Sequence, residues 1–158
     1  MNTEKLYTEL KALAEEAKEI MRAVFASDLG INRHKNVNKN TLVNSHLYED
    51  TESNYLDNGG TFINVIVNDY IQYIESGRIK HKFPPPEAIA EWASEKLGIS
   101  DNEIVMKICW SIYWNGITAR PLIDVSGGFW EQIDKIWDEW ADRIYKAVTE
   151  PIDEIFNE

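Results

Sequence analysis

Between Thr3 and Val24 the apolar residues Leu6, Leu10, Leu13, Ala17, Ile20, Met21 and Val24 recur every three or four positions, with Glu and Lys between them. That is the period of a long helix with one buried face. The pattern breaks at Ser27-Asp28-Leu29-Gly30, where Gly30 is expected to take the left-handed conformation of a C-terminal cap. Residues 31–44 hold five Asn, three basic residues and His34 with no period, which predicts an exposed, mobile loop. A weak strand pattern starts at Thr41-Leu42-Val43 and can extend through His46–Ser53 to Asn54-Tyr55-Leu56. Asp57-Asn58-Gly59-Gly60 is then a turn signal, because Asn and Gly tolerate the positive φ of tight hairpins. The next run, Thr61 to Val67, is β-branched and aromatic, with Phe62, Asn64 and Ile66 on one face and Ile63, Val65 and Val67 on the other.

Asp69 to Ser76 fits a short helical turn that presents Tyr70, Tyr73 and Ile74 to the sheet and closes at Gly77. Pro84, Pro85 and Pro86 force an extended segment that lacks backbone donors. Glu87 to Leu97 is predicted helical, carrying Ile89, Trp92 and Ala93 inward, with Gly98 past its end. Ser100-Asp101-Asn102-Glu103 has the spacing of a capping box, with Ser100 as the cap. The helix it opens, to about Asn115, is apolar on most sides and is expected at the centre of the core. Gly116 ends it, Pro121 keeps Arg120 extended, and Ser126-Gly127-Gly128 reads as a flexible joint. A last helix from about Phe129 carries Trp130, Ile133, Trp137, Trp140, Ile144 and Ala147 or Val148 at spacings of three and four, and should stop or kink at Pro151.

These elements predict one α+β domain over residues 1–158: a small, mostly antiparallel sheet with a β-hairpin, packed by a long N-terminal helix and three further helices. Its parts are the helix at 1–30, the hairpin and sheet at 41–83, the proline link and helical pair at 84–121, and the Trp-rich acidic helix at 122–158. At 158 residues the chain is long enough to bury a core unaided. No apolar run reaches the length of a bilayer crossing, and the first residues lack the basic and apolar regions of a secretion signal. No membrane association is therefore expected.

A net charge of -11 and a pI near 4.7 argue against a chain that wraps around nucleic acid, since that draws on a Lys/Arg excess, and no sequence-specific nucleic acid partner is expected. The charge is uneven: from Glu131 to Glu158 nine acidic residues face three basic ones. Arg78, Lys80, His81 and Lys82 form a short basic patch of opposite sign. Two solvated faces, or two surfaces that attract each other between copies, both fit this distribution.

Candidate chemistry is sparse. The single cysteine, Cys109, sits among aliphatic residues and reads as a small buried hydrophobe. Ser126 lacks the sharp Gly-x-Ser-x-Gly turn of a nucleophile. His34, His46 and His81 have no second ligand at zinc spacing. Asp134, Asp138 and Asp142 share a helix face, but no Glu-x-x-His pair stands ready to complete a carboxylate metal site. No catalytic residue, metal or cofactor is assigned, and the chain is not expected to be an enzyme. Of the six tryptophans, Trp92, Trp110 and Trp114 are expected in the core. Trp130, Trp137 and Trp140 share a stripe in which each ring can bury about 150–250 Å², worth at most ~4–6 kcal/mol. That stripe packs on the domain's own sheet or serves a partner.

Taken in order, Tyr70, Tyr73, Ile74, Glu75, Gly77 and Arg78, then Pro84 to Pro86, Trp92, and Gly116, Ile117, Arg120 and Pro121 resemble the neck or tail-completion proteins of tailed bacteriophages, which join head to tail. The resemblance covers about residues 60–123; the acidic, Trp-rich tail after Pro121 is unlike the typical member. It implies a structural virion protein, made in the bacterial cytoplasm and assembled as a ring at the neck. Its partners would be copies of itself and other neck, portal or tail proteins. Under that implication Arg78, Lys80 and Lys82 and the stripe Trp130, Trp137 and Trp140 are the candidate subunit contacts. Tyr70, Tyr73, Glu75, Gly77, Pro84, Pro85, Trp92, Gly116, Arg120 and Pro121 are the motif residues, and Glu75 is the suggested partner of Arg120. The alternative is a monomeric acidic binding or inhibitor protein, of the immunity type, that occupies a basic site on its target.

Overall fold

A computed structural model describes residues 3–32, 39–40, 42–43, 45–57, 61–69 and 71–156. The fold is α+β, and the chain divides into two compact units, Met1–Ile71 with Pro121–Glu158, and Gln72–Arg120.

In the first unit, helix α1 spans Thr3–Ala26 and buries Leu10, Leu13, Ala14, Ala17, Met21, Val24 and Phe25, the face its period predicts. It ends one turn before Gly30. A single 3₁₀ turn, Asp28–Gly30, follows, with Ser27 Oγ accepting from Leu29 N. Gly30 is not a left-handed cap, since its φ is not among the positive values. Glycine is required there for space: a Cβ would stand 2.1 Å from the Phe25 carbonyl oxygen. The segment expected to be an irregular loop instead forms a two-residue ladder, β1 (Ile31–Asn32) with β2 (Lys39–Asn40). The rest of that loop, with His34, lies outside the described residues. Asn40 explains the ladder. Its amide donates to the carbonyls of Phe25 (2.7 Å) and Ser27 (3.0 Å), and its Oδ1 accepts from Leu42 N. One side chain thereby serves the Phe25 carbonyl in the last turn of α1 and shares the Ser27 carbonyl with Gly30 N.

Where a weak strand was expected there is a single helical turn, α2 (His46–Glu49). It is anchored by buried Leu47 and by Thr51, whose hydroxyl donates to the Leu47 carbonyl. Arg22 of α1 donates to the carbonyls of Tyr48, Glu49 and Thr51, so helix contacts override a strand propensity that was weak. The hairpin is as predicted: β3 (Glu52–Asp57) pairs antiparallel with β4 (Thr61–Ile66), Glu52 opposite Ile66 and Asp57 opposite Thr61. The turn residues 58–60 lie outside the described ones. The face bearing Tyr55 meets α1, where Tyr55 stacks on Tyr7 at 6.0 Å. Phe62 and Ile66, on the other face, are exposed.

Helix α6 closes this unit. It spans Phe129–Phe156 and runs through Pro151 rather than stopping there. Its start is fixed by Leu122, whose carbonyl accepts from Phe129 N, and by Glu131, whose carboxylate accepts from Gly127 N at 2.9 Å. It lies along α1, where Arg143 bridges Glu9 (3.1 Å) and Glu16 (2.6 Å), Trp140 donates its indole N–H to Glu16, and Lys5 pairs with Glu150. These ties bind α6 to α1 along the stretch that leads up to Pro151.

The second unit holds the rest of α3 (Ile71–Ser76), α4 (Pro86–Leu97) and α5 (Asn102–Asn115). Ala93, Val105 and Cys109 form its core, with Phe83, Ile89, Ala90 and Ile99 packed around them. The cap of α5 is Asp101, accepting from Glu103 N at 2.8 Å, and not Ser100. Helix α5 buries only Val105 and Cys109. Trp92, Trp110 and Trp114, expected in the core, are exposed, because so small a unit has too little interior to cover three indoles.

Candidate functional site

In the second unit, two segments forty residues apart in sequence meet. Arg78 N donates to Ile117 O at 2.8 Å and Ile117 N to Arg78 O at 2.9 Å, a reciprocal antiparallel bridge. Each strand enters it through a glycine at positive φ, Gly77 at 66° and Gly116 at 69°. A Cβ on Gly77 would stand 2.4 Å from Ile117 O, and one on Gly116 would stand 2.5 Å from Arg78 O. The glycines of the Glu75–Arg78 and Gly116–Pro121 motifs are therefore what let the two segments touch. Arg120 N donates to Ile74 O at 2.6 Å, which brings the second motif beside Glu75 as well.

Arg78 is half-buried and helps hold the loop it opens. Its guanidinium donates to the carbonyls of Lys82 and Phe83 and lies 5.9 Å from the Tyr73 ring centroid. Tyr73, expected to pack on the sheet, has an exposed ring. Tyr70 lies outside the described residues. Lys80, His81 and Lys82 are exposed, and His81 holds φ 64°, with its amide donating to Tyr113 O. Pro84 is buried, while Pro85 is exposed and stands at the N-terminus of α4; Pro121 is exposed. Around the basic loop the rings of His81, Phe83, Trp110, Tyr113 and Trp114 meet edge to face at 5.0–5.5 Å between neighbours. Sequence reasoning missed this cluster. The spacing of Trp110, Tyr113 and Trp114 on one helix was the signal for it.

In the first unit, α6 carries two columns of residues seven apart. Ile133, Trp140 and Ala147 are buried against α1, with Trp140 only 4% exposed. Trp130 and Trp137 form the next column and are 53% and 57% exposed. The expected single stripe is thus two, and Trp140 is core. Trp130 and Trp137 wall a groove of about 650 Å³. Leu6, Leu10 and Ala17 of α1 also line it, and its opposite wall is Phe62, Ile63, Asn64 and Val65 of β4. Side chains alternate along a strand, so four successive residues can line one groove only where it runs along the strand's edge.

Charge separates along the same division. Residues 72–120 carry six acidic and six basic side chains, which leaves the whole -11 to the first unit. Asp134, Asp138 and Asp142 are exposed, and Asp142 pairs with Lys146 at 2.7 Å. Among the described residues no group of three His, Cys, Asp or Glu could hold a metal ion. Burial raises the Cys109 thiol pKa above its ordinary value. His34 and the side chain of His46 lie outside what is described. No helix among the described residues is long and apolar enough to cross a membrane.

Comparison with protein-family models, with curated proteins and with solved structures finds no match to this chain.

Proposed function

We propose that this chain is a structural subunit of the neck of a tailed bacteriophage, a ring-forming component that joins head to tail in the virion and has no catalytic role. The observation that carries this reading is the Arg78–Ile117 bridge. The two motif segments behind the resemblance are bonded to each other through paired glycines, so they act as one structural device. The exposed aromatic residues and the separation of charge also support assembly. Ring closure requires unlike patches on one chain to fit each other in the next copy, and aromatic residues are the usual anchors of such contacts.

Electron microscopy tests the reading at two levels. Purified protein is expected to form closed rings, alone or on its neighbours in the particle, and particles made without it are expected to show heads and tails unjoined. Heads and tails that join normally without the protein refute the reading. An acidic inhibitor remains the second reading, favoured by the -11 charge confined to one unit. It calls instead for a 1:1 complex with a basic target.

A further inference from the structure

The neck reading requires a contact between copies and offers Arg78, Lys80 and Lys82 and the tryptophans of α6 as its candidates, but does not say how they fit together. Ile79 is 75% exposed. It sits between Arg78 and Lys80, with Lys82 close by and no acidic residue from Gly77 to Pro86, so it is an apolar side chain ringed by cations. The groove on the first unit has the complementary character. Asn64 is the one polar residue lining it, whereas small-molecule sites place several convergent polar groups. Asp134, exposed and not part of the lining, comes four residues after Trp130 and three before Trp137, so it shares their face of α6, and exposed Asp138 stands one turn further on and farther round the helix. The groove therefore has apolar walls and a floor of Leu6, Leu10 and Ala17, and the helix that supplies Trp130 and Trp137 carries exposed carboxylates beside them.

We propose that the groove of one copy receives the Arg78–Lys82 loop of a second copy. Ile79 seats against Trp130 and Trp137, the aliphatic stems of the lysines cover the indole faces, and their ammonium groups meet Asp134 and Asp138. This rests on the chain being a self-assembling subunit. The contact joins two unlike surfaces, so an open chain of copies keeps a free loop at one end and a free groove at the other until a ring closes.

Sedimentation of the full chain at about 50 mM salt, where charge attraction is least screened, tests it with substitutions at exposed positions only. Wild type is expected to exceed 18.3 kDa as its concentration rises. Ile79→Asp should weaken association at least about tenfold, the usual loss when an anchor is removed. The pair Lys80→Glu with Lys82→Glu should remain monomeric, as should the pair Asp134→Lys with Asp138→Lys. Mixing these two should restore association with the variants in equal amounts, because the unchanged basic loop of the second meets the unchanged acidic rim of the first, and the acidic loop of the first fits the basic rim of the second. Circular dichroism and melting temperatures like those of wild type confirm that each variant is folded.

A wild type that stays monomeric overturns the contact, whether the groove is empty, takes its own loop or takes another ligand. Association unchanged by Ile79→Asp, or a mixture that stays monomeric, overturns it too. The neck reading fails separately, on particles that join head to tail without the protein.

Discussion

Replacing Gly77 by alanine adds one methyl group at the point where the two motif segments cross. At φ 66° a residue with a Cβ costs about 1–2 kcal/mol before any contact is considered. The new carbon would also stand 2.4 Å from Ile117 O and 2.7 Å from Ala119 N. Both are backbone atoms, so relief means separating the segments and weakening two hydrogen bonds worth about 0.5–1.5 kcal/mol each. The total is about 2–5 kcal/mol, against a stability of ~0.05–0.15 kcal/mol per residue for a small unit. Gly98→Ala is the control: its φ is 62°, but no heavy atom lies within 4 Å of the added carbon, so only the first cost, about 1–2 kcal/mol, applies. Cys109 reports the result, because its thiol is buried in the core of the same unit and reacts with a thiol reagent only when that core opens. With reclosing faster than labelling, the rate follows the open population. Gly98→Ala should label about tenfold faster than wild type and Gly77→Ala about a hundredfold faster, at ~1.4 kcal/mol per factor of ten. Labelling of Gly77→Ala no faster than Gly98→Ala would refute the claim that the bridge requires its glycine.

Arg143→Met removes a side chain that bridges Glu9 and Glu16; partial exposure limits the loss to about 1 kcal/mol, read as a lower urea midpoint. Pro151→Ala returns a backbone donor to the interior of α6 and should stabilise the chain by about 1–2 kcal/mol, less than the ~3 kcal/mol propensity difference because buried ring contacts are lost; an unchanged melting temperature counts against it. Stability should also fall with acid. The Gly127 amide and then Lys135 hold the Glu131 carboxyl below its ordinary pKa, and Lys5 does the same for Glu150. Carboxyls depressed in the folded state contribute above their unfolded value, about 4.3, and that contribution disappears as pH falls through the lower folded value. Glu131→Gln should flatten the decline, measured as melting temperature against pH.

What the sequence made legible was what repeats locally. Helices α1, α4, α5 and α6 and the β3–β4 hairpin follow from periods of 3.6 and 2 and from the turn at 57–60. The Arg78–Ile117 bridge was not legible, because no period links segments that distant, and Gly77 and Gly116 read as the ends of two separate helices. Asn40 looked like one more loop asparagine until the end of α1 supplied carbonyls for its amide. Pro151 does not stop α6, which continues to Phe156; its ring is buried, and packing of that kind is not part of local propensity. The tryptophans were counted correctly and partly misplaced. A spacing of three and four merges Trp137 with Trp140, whereas the seven-residue columns separate them into surface and core.

That division of the tryptophans has an optical consequence. Trp140 is sealed from water and hydrogen-bonded to Glu16, while the other five indoles are each at least 40% exposed. Emission from the native chain should therefore be dominated by wetted indoles, red-shifted and open to quenching by acrylamide, so unfolding changes the spectrum little. Covering Trp130 and Trp137 should shift it to the blue. The protein carries an intrinsic dye for its own association, readable without a label and in the presence of any partner that lacks tryptophan.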